Sequence, residues 1–224
     1  MPIGLWILLV VGILIAFGVG QRVLDRMRLT DRQALVYVVF IFVGGIIPDI
    51  QLTTYWSVNI GGAIIPLILC IHLFIKAGTT KERVRAVAAA ILSGAAVYLI
   101  GRFFPAEPEG MYFEPTYLYG IAAGIIAYLM GRSRRSAFIG GVMGVLLADI
   151  TQGIINGVSG VPAAVRLGGA GAFDAVVVSG IVAVLAAELI GEARERLQGG
   201  TSKKDMVIED GEFVKKEEAK HEKH

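Results

Sequence analysis

The chain has little of what a soluble enzyme or a secreted scaffold needs. It carries one cysteine in 224 residues, Cys70, set inside an apolar run, so no intrachain disulfide can form. There is no Walker loop, HExxH, CxxC or nucleophile elbow, which removes nucleotide-driven pumping and zinc proteolysis from the candidate functions. No lysine or arginine precedes Arg22, so the basic opening of a cleaved signal peptide is missing and the first apolar stretch reads as an anchor. Charged residues make up only 18%, and a formal net charge of +2 offers no field for nucleic acid.

What is present is hydrocarbon: 55% of residues are apolar, with 29 glycines and a mean hydropathy of +0.67. A membrane-crossing helix needs about 20 mostly apolar residues. Seven such stretches can be read: Ile3 to Gly20, Ala34 to Asp49, Ser57 to Ile75, Val84 to Phe104, Thr116 to Gly131, Ala137 to Asn156 and Gly171 to Ile190. The expected fold is an all-α integral membrane protein of seven transmembrane helices. Residues 1–191 form the helical domain and 192–224 a charged tail.

Orientation follows from the basic residues, because loops rich in Lys and Arg stay cytoplasmic. Nineteen of the 21 fall in alternate connections and the tail, leaving only Arg102 and Arg166 for the opposite face. The expected topology is therefore N-outside and C-cytoplasmic. Trp6, Trp56, Tyr112, Phe113, Tyr117 and Tyr119 fall near the outer boundary, as an aromatic belt would. The tail reads as solvated polar chain. Within it, Asp210-Gly211 between Met206-Val207-Ile208 and Phe213-Val214 has the pattern of a two-residue hairpin.

The string Val58-Asn59-Ile60-Gly61-Gly62-Ala63 recurs as Val165-Arg166-Leu167-Gly168-Gly169-Ala170. Pro48-Asp49-Ile50 likewise matches Ala148-Asp149-Ile150, and Ile15-Ala16-Phe17 matches Ile126-Ala127-Tyr128. Landmarks in the same order predict two parallel three-helix repeats, about 3–76 and 116–190, joined by a linker helix over 84–104. This is a three-plus-one-plus-three plan with its axis along the membrane normal, similar to that of SWEET-type sugar carriers in architecture alone.

Ionisable groups in apolar spans are costly and mark function by default. Counted along their helices, Asp49, Asp149 and Asp174 lie about 22, 18 and 24 Å from the cytoplasmic ends, all in the outer half. Asn59, Gln152, Asn156 and Arg166 fall near them, so Asp49, Asn59, Asp149, Gln152, Asn156, Arg166 and Asp174 form the candidate ligand-binding set. Arg166 is either a counter-charge for Asp149 or Asp174 or a loop arginine at the headgroups. The pairs Gly44-Gly45, Gly61-Gly62 and Gly168-Gly169 mark places where helices break or approach closely. Gly12, Gly94, Gly120, Gly124, Gly140, Gly141 and Gly144 read as helix-packing positions. His72 reads as structural, and Glu188 beside Arg194 and Arg196 as an interfacial ion pair.

Val165 to Ala187, with Arg-Leu-Gly-Gly-Ala-Gly-Ala-Phe-Asp and then Ser179-Gly180-Ile181, resembles the domain of unknown function 1614 family of prokaryotic multi-pass membrane proteins. The earlier Val58 to Ala63 and Leu147-Ala148-Asp149 fit the same family. That resemblance implies a prokaryotic cell-membrane location and carries no biochemistry. A weaker one is to presenilin and signal peptide peptidase, which place aspartates on consecutive helices, the second in a Gly-x-Gly-Asp motif. Here Gly171-Ala172-Phe173-Asp174 has Phe173 where that motif has glycine. It implies Asp149 and Asp174 as a catalytic dyad.

Three readings follow. The first is a carrier or binding protein for a cation, a proton or a small polar solute, using aspartates in an outward-facing cavity. The second is an intramembrane aspartyl protease. The third is a structural or assembly protein whose tail recruits a cytoplasmic partner. No cofactor is expected, and the sequence leaves open a metal and a homo-oligomer. The bilayer is the expected partner throughout.

Overall fold

The computed structural model describes residues 3–18, 20–103, 115–169, 171–197, 206–209 and 212–215. The elements in chain order are α1 (Ile3–Ala16), α2 (Gln21–Met27), α3 (Asp31–Ile46), β1 (Ile50–Gln51), β2 (Trp56–Val58), a π-helical turn (Ile60–Ile64) running into α4 (Ile65–Ile75), α5 (Thr80–Phe103), α6 (Pro115–Gly131), α7 (Arg134–Val158), β3 (Val165–Leu167), α8 (Gly171–Leu197), β4 (Met206–Glu209) and β5 (Glu212–Lys215). Each stretch read as a span holds a helix. Three segments, in α5, α7 and α8, are long and apolar enough to cross a membrane, and α1 with α2 makes a fourth if that bent pair counts as one span.

The remaining helices are short because the sequence stops them. α1 has 14 residues, α3 16 and α6 17. At about 1.5 Å per residue they extend roughly 21 to 26 Å, less than the ~30 Å of hydrocarbon. The first stretch does not run straight to Gly20. α1 ends at Ala16, Gly18 and Gly20 take left-handed conformations at φ 75° and 93°, and α2 resumes at 98° to α1. α3 ends before Pro48, whose ring disfavours helical backbone in the residue preceding it, and Ile47 is accordingly extended.

The expectation of an all-α chain needs amendment. β1 and β2 form an antiparallel pair, and β3 adds parallel to β2, giving a three-stranded sheet in the order β1-β2-β3. The cause is backbone satisfaction: where helices end, the freed N–H and C=O groups must find partners, and short strands supply them.

Glycine and small residues set the helix packing. Gly94 and Gly144 place α5 against α7, with a Cβ on Gly94 reaching the Gly144 carbonyl at 3.1 Å. Gly140 lies against Ala89 and Ala127, and Gly141 and Gly124 both face the Ser179 carbonyl of α8. Close backbone approach of this kind substitutes for the hydrophobic drive that lipid-embedded helices lack. At the ends of α4, α5 and α7, Glu82 takes a fork from Arg135 (Nε and Nη2, each 3.1 Å), while Arg135 Nη1 donates to the Lys76 carbonyl at 2.7 Å. Glu188 pairs with Arg134 of α7 at 2.9 Å, while the side chains of Arg194 and Arg196, the partners expected from sequence, lie outside those described.

The chain divides after Glu188 into two units. In the second, β4 and β5 pair antiparallel with Met206 opposite Lys215 and Glu209 opposite Glu212, in the register that the hairpin pattern predicts. Asp210 and Gly211 themselves lie outside the described residues.

Candidate functional site

The site forms where the two recurring strings meet. β2 and β3 run side by side, with Trp56 opposite Val165, Ser57 opposite Arg166 and Val58 opposite Leu167. The Asn59 amide continues the ladder by donating to the Leu167 carbonyl at 2.9 Å. Just beyond, the backbones of Gly62 and Gly168 are in direct contact, so that a Cβ on either would collide with the other's peptide group. Gly168 holds φ +63°, a conformation glycine adopts without steric cost.

Asn59 organises the first copy. Buried at 5% exposure, it caps the π-helical turn by accepting from the Gly62 amide at 2.8 Å. Its Nδ2 donates to Asp49 Oδ1 at 2.9 Å. Asp49 is thus held at the end of α3, and its other oxygen abuts Gly169, where a Cβ would come within 2.6 Å of Oδ2. From the second half of the chain, α7 brings Asp149 to Gly168, whose amide is turned toward its carboxyl. Asp149 Oδ2 is buried and has no hydrogen-bond partner. Asp49 and Asp149 therefore both border the Gly168-Gly169 turn.

Asp174 is engaged differently. At 4% exposure in the first turn of α8, it accepts from the amides of Ile3 (3.2 Å) and Gly4 (2.8 Å) and from the Tyr117 hydroxyl (3.4 Å). A carboxylate here satisfies orphan donors of α1 and complements the positive end of its dipole. None of the described hydrogen bonds joins Asp174 to Asp149, and the presenilin-like pairing gains no support.

The remaining candidates are peripheral. Gln152 Nε2 donates to Asn156 Oδ1 at 2.7 Å, one turn along α7, and Gln152 is exposed. Arg166 is exposed on β3, and among the described residues it enters no ion pair with Asp149 or Asp174. Among the described residues, no three His, Cys, Asp or Glu side chains gather where they could hold a metal ion. His72 meets Tyr37 edge-on at 5.9 Å between centroids, and its Nε2 is buried without a hydrogen-bond partner.

Sequence reasoning missed three contributors. Trp56, read as a belt aromatic, lays its indole against Gly153 of α7. Phe173 packs on Gly45 and Gly62 within a cluster of Leu5, Leu8, Ile41 and Val177. Tyr117 donates to Asp174 instead of only marking an interface. The sole signal in sequence was the pairing of large aromatics with glycines too distant along the chain to be matched by eye.

No curated protein and no solved structure matches this chain. A family profile does, across residues 10–186, a range that takes in α2 to α7 whole, both glycine strings and all three aspartates. The chain belongs to the DUF1614 family of proteins of unknown function.

Proposed function

We propose that this protein is a multi-pass membrane carrier or binding protein for a proton or small monovalent cation, with Asp149 as the group that holds it. The observation that carries the reading is the buried, unpartnered Oδ2 of Asp149 beside the Gly168 amide. A carboxylate oxygen withdrawn from water without a donor is costly, and it is satisfied by taking a proton or a cation. Asp49, fixed by Asn59, brings a second carboxyl to the neighbouring Gly169 of the same turn. Among the described residues no third His, Cys, Asp or Glu joins them, which leaves the site short of the ligand set usual for a multivalent metal.

The wider architecture belongs to the same proposal. Seven helical segments cross or enter the membrane with the N-terminus outside, and the shorter ones are completed by the strand pairs where they break. The parallel pairing of β2 with β3 supports the repeat, since each strand opens the same glycine string. Asp174, whose oxygens are taken by α1 and Tyr117, serves the scaffold in this reading, which favours transport over proteolysis.

The test is flux into liposomes containing the purified protein, followed with an internal pH dye and with Na+ and K+ gradients. Transport of one of these ions is expected, with Asp149→Asn falling to the rate of empty liposomes. Absence of flux and of ion-dependent thermal stabilisation in the unaltered protein, or full activity in Asp149→Asn, overturns it.

A further inference from the structure

Trp56 stands over the outward approach to Asp149, and helix and strand place it there independently. Along α7, Gly153 lies one turn beyond Asp149 on the same helix face, about 6 Å farther toward Val158. The six-membered ring of the Trp56 indole rests on that glycine, where a Cβ would collide with Cη2, Cζ2 and Cζ3. Along the sheet, Trp56 pairs with Val165, three residues before Gly168, whose amide is turned toward the Asp149 carboxyl. Three residues of strand span about 10 Å. Both measures put the indole one layer beyond the carboxyl, in the same direction. Gly153 is buried while Thr151, Gln152, Ile154 and Ile155 on either side of it are exposed, so the indole supplies the cover at this level of α7.

The backbone beneath this ring is pinned. The Trp56 amide donates to Thr53 Oγ1 at 3.1 Å, and its carbonyl accepts from the amides of Leu52 (2.9 Å) and Thr53 (3.1 Å), which closes the turn between β1 and β2. The side chain is free to move. Trp56 is half-buried, residues 51–55 before it are all exposed, and none of the described hydrogen bonds engages the indole N–H. Gly153 presents no side chain to lock the ring. Rotation about the side-chain bonds of Trp56 therefore lifts the indole from α7 while β2 and β3 stay in register.

We propose that Trp56 is the outer gate of the Asp149 site: seated on Gly153 it closes the carboxyl off from the outer aqueous side, and rotated away it admits the ion. The inference rests on Asp149 as the ion-holding group and deepens that reading by naming the residue that controls access to it. A carboxylate oxygen without a partner has to be kept from water while it is empty and reached by its ion when it is filled. A large aromatic ring seated on a bare glycine one turn away does both.

The experiment reads access to position 149 directly, so it does not depend on flux. Asp149→Cys is made in the full chain with Cys70, 3% exposed, left in place as the background. Intact cells are treated from outside with a membrane-impermeant methanethiosulfonate, and the adduct is counted by mass spectrometry of the purified protein. The new thiol should react slowly beneath Trp56 and about tenfold faster or more with Trp56→Ala, because a group reached through transient opening reacts in proportion to the open fraction. Gly153→Ala, which pushes the ring off from the helix side, should speed it too, and Trp56→Phe should fall between. Gly157→Cys, one turn farther out where nothing lies within 4 Å, is the control. Its rate should be unchanged by Trp56→Ala, whereas a general loosening of α7 would raise both. If Trp56→Ala does not fold, Trp56→Phe and Gly153→Ala decide. A rate at position 149 that these changes leave unaltered, an equal rise at both positions, or a rise seen only with a permeant reagent overturns the gate, and with flux intact it leaves the carrier standing. Failure of the flux and ion-stabilisation tests with labelling as expected overturns the ion reading and not the cover.

Discussion

Asn59 holds Asp49 through a 2.9 Å bond from its Nδ2 while its Oδ1 caps the turn that starts the next helix, so one buried side chain ties the residue before β1 to the turn after β2. Asn59→Ala leaves the Gly62 amide and one Asp49 oxygen without partners. The loss is about 1 to 3 kcal/mol, from an unmet buried donor and a missing cap. Thermal unfolding in detergent should show a lower midpoint. Asn59→Asp should be worse for ion handling than for the cap, because it keeps the acceptor for Gly62 and sets two carboxylates against each other.

The glycine contacts make a sharper contrast. Gly62 and Gly168 touch through backbone, and a methyl on either would displace the partner chain. Gly62→Ala should therefore cost several kcal/mol and lower the yield of folded protein, since a peptide group cannot swing aside as a side chain does. Gly157, on α7, has nothing within 4 Å of where a Cβ would stand. Gly157→Ala should be neutral or stabilise by up to about 1 kcal/mol, the helix-propensity gain. Comparing the two unfolding curves tests whether the crossing, and not glycine as such, is what the fold needs.

Helices and their order could be read directly because apolar stretches bounded by basic loops carry a strong signal. The span lengths could not. α1 stops at Ala16 because Gly18 and Gly20 turn the chain, yet glycine in an apolar run is equally compatible with an unbroken helix. The recurrence of the glycine strings was visible, but the aspartates matched in sequence differ in setting, Asp49 lying past the end of α3 and Asp149 inside α7. That Val58 would lie opposite Leu167, two places along the second string from its sequence match Val165, depends on the stagger of two strands and has no local signature. Asp174 was the residue least well read. Nothing near it in sequence announces that residues 3 and 4 supply its donors.

Asp174 accordingly separates scaffold from ion site. Asp174→Ala removes the acceptors for the Ile3 and Gly4 amides and for the Tyr117 hydroxyl. A cost of about 1 to 3 kcal/mol is expected for hydrogen bonds to a charged group, with faster amide exchange confined to the first turn of α1. Ion flux per folded molecule should stay within a small factor of normal. A selective loss of flux with unchanged exchange in α1 would instead place Asp174 in the transport path.

The Glu82–Arg135 fork fixes the opposite end of the bundle, and its geometry dictates how it fails. The two side chains are 13% and 12% exposed, so neither charge is readily rehydrated when its partner is removed. Arg135→Lys keeps the charge but offers no planar fork, and it cannot serve both Glu82 oxygens and the Lys76 carbonyl at once. It should retain only part of the stability, whereas Arg135→Met leaves Glu82 with the Ser133 hydroxyl and the exposed Gly78 amide as its remaining donors. Removing one partner of a buried pair costs about 3 to 5 kcal/mol, and partial exposure here puts the expected loss for Arg135→Met near the lower end. Restoring a neutral partner with Glu82→Gln in the Arg135→Met background should recover stability relative to Arg135→Met alone. That recovery, measured as a double-mutant cycle on the unfolding midpoint, distinguishes a stranded charge from lost packing, because a packing defect at Arg135 would not be relieved by neutralising Glu82.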